Sequence, residues 1–190
     1  MFMNIVNPIQ PGTFLVGTQD GGVTLTYPAQ EGFEFETNDE TFNSIIGPKK
    51  VRSDGRRRYR VVRNMSATAV TAGQVLIPST VSGFADRRVN GPQTSAGVHS
   101  FVADPDLVLA VPQYALFLIV VGGITQISNA AGANVVGDHV VSTATSGDAA
   151  TVTNGAITAQ QAANKIGRCV GNTAATKAGF MDVVITGYSS

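Results

Sequence analysis

The stretch Tyr114-Ala115-Leu116-Phe117-Leu118-Ile119-Val120-Val121 is the longest apolar run in the chain, bracketed by Pro112 and by Gly122-Gly123. A helix that crosses a bilayer needs about 20 apolar residues, and this run has eight. It is too short for that role, and no membrane is expected among the partners. Leu, Ile, Val and Phe between turn-forming residues predict a β-strand.

Outward from this run the text stays β-rich. Gly22 to Tyr27, Tyr59 to Arg63, Gln74 to Ile77, Leu107 to Val111, Val135-Val136, His139 to Ser142, Ala150 to Thr153, Ile166 to Gly171 and Met181 to Thr186 are short runs of the same kind. Turn clusters separate them, among them Val89-Asn90-Gly91-Pro92, Ser146-Gly147-Asp148 and Asn154-Gly155. In Phe33-Glu34-Phe35-Glu36-Thr37 apolar and acidic residues alternate, which puts both glutamates on one face of a strand. Gly73 and Gly137 each precede a polar residue and an apolar run, so each is expected to open a tight entry into a strand, where glycine tolerates a positive φ. Helix signals are confined to Thr158–Lys165, where Thr158 and Gln161 have the spacing of a capping box; a polar connection is the other reading. The expected fold is mainly β: an antiparallel β-barrel or β-sandwich with at most one short helix and an extended N-terminal arm.

Of the 190 residues, 43% are hydrophobic and only 14% charged, against roughly 25% charged in an ordinary soluble domain. So little charge, with a positive mean hydropathy, suggests that some surface is covered by partners. The first residues, Met-Phe-Met-Asn-Ile-Val-Asn-Pro, lack a basic start and a sustained apolar stretch, so no secretory signal is expected. Cys169 is the single cysteine. It predicts a buried, unreactive thiol and no intrachain disulfide.

Net charge is zero but unevenly spread. Residues 1–48 hold Asp20, Glu31, Glu34, Glu36, Asp39 and Glu40 without Lys or Arg, giving −6. Residues 49–63 hold Lys49, Lys50, Arg52, Arg56, Arg57, Arg58, Arg60 and Arg63 against Asp54, giving +7. This split suggests an arm over residues 1–48 and a β-barrel or β-sandwich domain over 49–190. Phe14, Phe33, Phe35 and Phe42 are too many aromatics for a free tail, so the arm is expected to order on a partner. The basic run has three readings. It could hold phosphates, with Tyr59 stacking a base. It could meet carboxylates of another subunit, including the acidic arm of a second copy. It could be a solvated loop. The protein contact leads, because the chain itself supplies nearly matching negative charge and a nucleic-acid domain is usually basic overall. The candidate contact residues are therefore Lys49, Lys50, Arg52, Arg56, Arg57, Arg58, Arg60, Glu34 and Glu36.

Catalytic patterns are sparse. His99 and His139 lie 40 residues apart, and a metal site needs several converging ligands. There is no Gly-x-Ser-x-Gly elbow, and Gly47-Pro48-Lys49-Lys50 lacks the flanking residues of a phosphate-binding loop. Glu34/Glu36 and Asp104/Asp106 are carboxylate pairs, the first in the charged arm, the second around Pro105 in an evident loop. Asn64-Met65-Ser66 matches a glycosylation acceptor by chance. No enzyme, cofactor, metal or small-molecule substrate is expected.

From Tyr59 onward one order of motifs stands out: Ala72-Gly73-Gln74-Val75, Leu107 to Val111, Leu116 to Val121, Gly123-Ile124-Thr125-Gln126-Ile127, Val136-Gly137-Asp138-His139-Val140-Val141-Ser142, Ile166-Gly167-Arg168-Cys169-Val170-Gly171 and Asp182-Val183-Val184-Ile185. This order, over roughly residues 59–187, resembles the capsid cement, or decoration, proteins of tailed bacteriophages. Cys169 stands near where that family usually has a small residue such as Ala. The resemblance implies a barrel or sandwich on the outer capsid surface of the virion, made in the host cytoplasm. It implies partners too: the major capsid protein, and copies of itself in a homotrimer. It transfers no catalytic residue, and direct nucleic-acid contact is not expected. A nucleic-acid-binding module using the 49–63 run, or another virion component such as a head-fibre base or spike subunit, are the alternatives.

Overall fold

The computed structural model describes residues 9–17, 19–20, 24–25, 30–38, 56–129, 134–171 and 180–185. The described chain is mainly β. A two-stranded ribbon, β1 (Gln19–Asp20) with β2 (Thr24–Leu25), stands apart from a ten-stranded sheet. The large sheet contains β3 (Glu34–Asn38), β4 (Arg56–Asn64), β5 (Val75–Pro78), β6 (Arg88–Pro92), β7 (Phe101–Ala103), β8 (Leu116–Ser128), β9 (His139–Ser142), β10 (Ala149–Val152), β11 (Gly167–Gly171) and β12 (Phe180–Ile185). Its order is β10-β9-β11-β12-β8-β7-β5-β6-β4-β3, with β8 also paired to β4.

That extra pairing closes a ring. β4 pairs with β8, β8 with β7, β7 with β5, β5 with β6, and β6 with β4. The result is a five-stranded barrel, antiparallel except at the β4–β6 seam, where Arg63 lies beside Arg88 and Asn64 beside Val89 in parallel. β3 lies along β4, and the other four strands run outward from β8 through β12, β11 and β9 to β10, with an isolated bridge from Asn129 to Ala149 returning to the end of β8.

β8 is the wall shared by both halves, which is why its sequence is continuously apolar rather than alternating. Phe117, Ile119 and Val121 join Val62, Leu76, Val89, Phe101 and Ala103 inside the barrel. Leu116, Leu118 and Val120 point the other way, into a second core with Tyr59, Val61, Val102, Val140, Cys169, Met181, Val183 and Ile185.

The one described α-helix, α1 (Ala159–Ala163), has the expected capping box: the Gln161 amide donates to the Thr158 hydroxyl, and the Thr158 amide donates to the Gln161 side chain. Gly73 and Gly137 take positive φ, 66° and 94°, at their strand entries. Cys169 is buried, and burial pushes its thiol up from the ordinary range.

Three expectations need correction. Leu107–Val111 is a loop, not a strand; only Val111 is paired, in a bridge to Val70. Val135 and Val136 belong to the Val135–Asp138 turn, not to a strand, and are exposed. Val89-Asn90-Gly91-Pro92 is not a free turn but most of β6. Gly91 at φ 101° and a register shift between Leu76 and Pro78 let β6 bend while still pairing with β5.

Candidate interaction surface

The basic run enters the sheet as β4, and strand alternation sorts its arginines. Arg58 and Arg60 lie opposite Glu36 and Glu34 of β3 in an antiparallel register. Arg60 binds Glu34 at 2.6 Å, and Arg58 approaches it at 3.9 Å. Glu34 and Glu36 thus share a face, as the alternation requires. On the opposite face Phe35 stacks between Phe33 and Tyr59, with ring centroids 6.2 and 5.7 Å apart.

Arg57 and Arg63 turn inward instead. Arg57 is 1% exposed. It donates to the Ile124 carbonyl, the Tyr59 hydroxyl and the Asp106 carboxylate, while its Nη2 has no partner. Burial pushes the Tyr59 phenol up, reinforced by the charge of Asp104 and opposed by Arg57, so the ring stays neutral. Arg63 donates to Glu31 and to the Tyr114 carbonyl, and Arg88 binds the second Glu31 oxygen at 2.7 Å. Arg88 also lies over the Phe84 ring, 3.7 Å from its centroid. Glu31 therefore ties both sides of the parallel β4–β6 seam to the 30–38 segment.

Of the sequence candidates, the structure brings together Glu34, Glu36, Arg58 and Arg60 on one ladder and seals Arg57 inside. Arg56 is placed on β4 opposite Asn38. Lys49, Lys50 and Arg52 lie outside the described residues. Asn64 is fully buried, and its amide nitrogen donates to the Thr68 and Val111 carbonyls, so its role is structural. His139 is buried with Nδ1 unpartnered. Among the described residues, no three His, Cys, Asp or Glu side chains converge well enough to hold a metal ion.

Sequence reasoning missed the surface that stands out once the chain is folded. Val108 is 78% and Leu109 68% exposed, side by side on the loop after Asp106. The loop is fixed at both ends: Asp106 holds Arg57, and Val111 exchanges two backbone hydrogen bonds with Val70. A second apolar group forms where the Val135–Asp138 turn bonds to Cys169, leaving Val135, Val136 and Val170 exposed. The strand-like composition of Leu107–Val111 masked the first group. Only the failure of that stretch to pair reveals it.

With this geometry in hand, comparison with known proteins adds no relative: the chain matches no family model, no curated sequence and no solved structure.

Proposed function

We propose that the chain is a structural cement, or decoration, protein of a tailed-bacteriophage head. It sits on the outer capsid surface, associates with itself as a homotrimer and clamps neighbouring major capsid proteins. The observation that carries this is the Val108–Leu109 pair: two large aliphatic side chains held out in water on a loop tied down at both ends. Such a knob costs solvation in an isolated chain and gains it back when a partner pocket covers it. The order of β motifs from Tyr59 onward supports the same reading, as does the low charge content.

The arginine run is the weaker contact candidate. Arg57 and Arg63 are buried, and Arg60 is paired with Glu34. Of the described arginines in the run, Arg58 is the one left largely exposed, 3.9 Å from Glu34, so a nucleic-acid module has less support.

The test uses the full chain and heads lacking it. Wild-type protein should bind saturably and raise the thermal stability of the heads. The double variant Val108→Asp/Leu109→Asp should bind at least about 30-fold more weakly, the loss of a hot spot, with the melting temperature of the free protein unchanged. Absence of saturable binding, or wild-type affinity in the double variant, overturns the proposal.

A further inference from the structure

The second feature of the Asp104-Pro105-Asp106 loop is what lies on it. Asp104 is fully buried, yet among the described residues no Lys or Arg pairs with it. Among the described residues its carboxyl accepts from two neutral donors, the backbone N–H of Gly12 and that of Asp106. The two N–H bonds favour the anion, but full burial beside the charge of Asp106 outweighs them, and a proton relieves that cost.

The lid over this carboxyl is the 9–17 segment. Gly12 donates to Asp104, and its carbonyl accepts from the Val108 amide. Gly12 has φ 82°, and a Cβ there would stand 3.0 Å from the Asp106 carbonyl oxygen. Ile9 is anchored in the second core, and Leu15 bridges Leu116. The segment therefore has its own few anchors, and Asp104 sits under the middle one.

Among the described residues, titratable groups face Asp104 from two places. Its own loop brings Asp106, which is engaged with Arg57. β4 brings Arg57 and Tyr59. The 9–17 segment, the Thr71–Gln74 turn that donates to the Asp104 carbonyl, and Leu118 of β8 contribute no ionisable side chain.

We propose that residues 9–17 form a proton-latched strap: it docks on the Asp104–Asp106 loop while Asp104 is protonated and loosens once Asp104 becomes a carboxylate. The electrostatics agree. Burial first, then the charge of Asp106, pushes the Asp104 carboxyl up to about 7, against the pull of the two N–H groups and Arg57. A freed strap returns Asp104 to water, where an aspartate titrates near 3.9, roughly. Because the docked state has the higher pKa, docking is strongest at low pH. It weakens by about tenfold per pH unit as pH rises between these two values and is flat above the upper one. The latch does not rest on the capsid reading, although the strap's Gly12 carbonyl also holds the Val108 amide.

Amide hydrogen exchange on the full chain from about pH 5 to about pH 8, corrected for intrinsic rates, tests this. The amides of Gly12 and Leu15 should open more readily than those of β4. Their opening constant should rise roughly tenfold per unit up to about pH 7 and then level. In Asp104→Asn, a neutral isostere that still accepts from Gly12, the constant should be independent of pH. A flat profile in wild type, a pH-dependent one in the variant, or strap opening no easier than β4 overturns the latch. Should the variant fail to fold, carbon-13 titration of the wild-type Asp104 carboxyl decides. A midpoint within about one unit of an ordinary aspartate overturns the latch, and a higher one supports it.

Discussion

Glu31 shows how much one side chain can carry. Its two oxygens serve Arg63 and Arg88, at a site where the Glu31 and Arg63 side chains are 2% and 0% exposed. Removing a charge from a buried pair strands its partner, and that typically costs about 3–5 kcal/mol. Glu31→Gln keeps the shape and leaves two guanidinium groups facing an amide. It should lower unfolding free energy by that amount in urea denaturation, and a loss under about 1 kcal/mol would show the seam is held by its backbone pairing instead. The sequence made the alternation of Glu34 and Glu36 legible because period-two patterning needs only neighbours. It hid the burial of Arg57, whose carboxylate partner Asp106 is 49 positions away. Run charge alone sorts nothing. Which arginine turns inward depends on a strand register that β8 imposes.

At the level of elements, β8 runs on where its composition suggests a stop. Gly122-Gly123 was the natural end of the apolar run, yet the strand continues to Ser128 and gains β12 as a neighbour, Gly123 opposite Ile185. Gly123 makes this possible with φ 94°, a backbone state that costs a side-chain-bearing residue about 1–2 kcal/mol. A register shift at Arg58/Tyr59 lies across from the same place, so the strand changes direction as it leaves the barrel for the second half. Gly123→Ala should therefore destabilise by roughly 1–2 kcal/mol. Thermal melts would register the change, and an unaltered midpoint would mean the backbone relaxes there at no cost. Leu107–Val111 erred in the opposite direction. Its residues favour a strand, but a strand also needs a free partner edge. Here Pro105 and Pro112 bracket the stretch, and both lack an amide hydrogen. The helix, by contrast, was readable from Thr158 and Gln161 because a cap is a local bond.

The described residues form two cores with one shared wall. Every barrel strand gives side chains to the inner core, and β4, β5, β7 and β8 also give their alternate residues to the second. Leu116, Leu118 and Val120, which face the second core, lie on the strand that pairs with β4 in the barrel. Mainly β architecture was legible because short apolar runs and turn clusters recur throughout. The closure was not, since it depends on β4 finding both β8 and the distant β6. A shared wall makes a definite claim about cooperativity. Phe117 is fully buried and faces only the barrel core, so Phe117→Ala leaves a cavity on that side and should cost about 3–5 kcal/mol. If the wall couples the halves, the loss appears equally in strands that Phe117 never touches. Hydrogen exchange of β9 and β12 should then lose the same free energy as β5 and β6, and circular dichroism should show one transition in denaturant. Were β9 and β12 to keep wild-type protection while β5 and β6 lose theirs, the halves would be independent units joined only by chain. In that case a partner gripping the Val108–Leu109 loop would stabilise the barrel alone. With the wall intact, such a partner would steady every strand from β4 to β12.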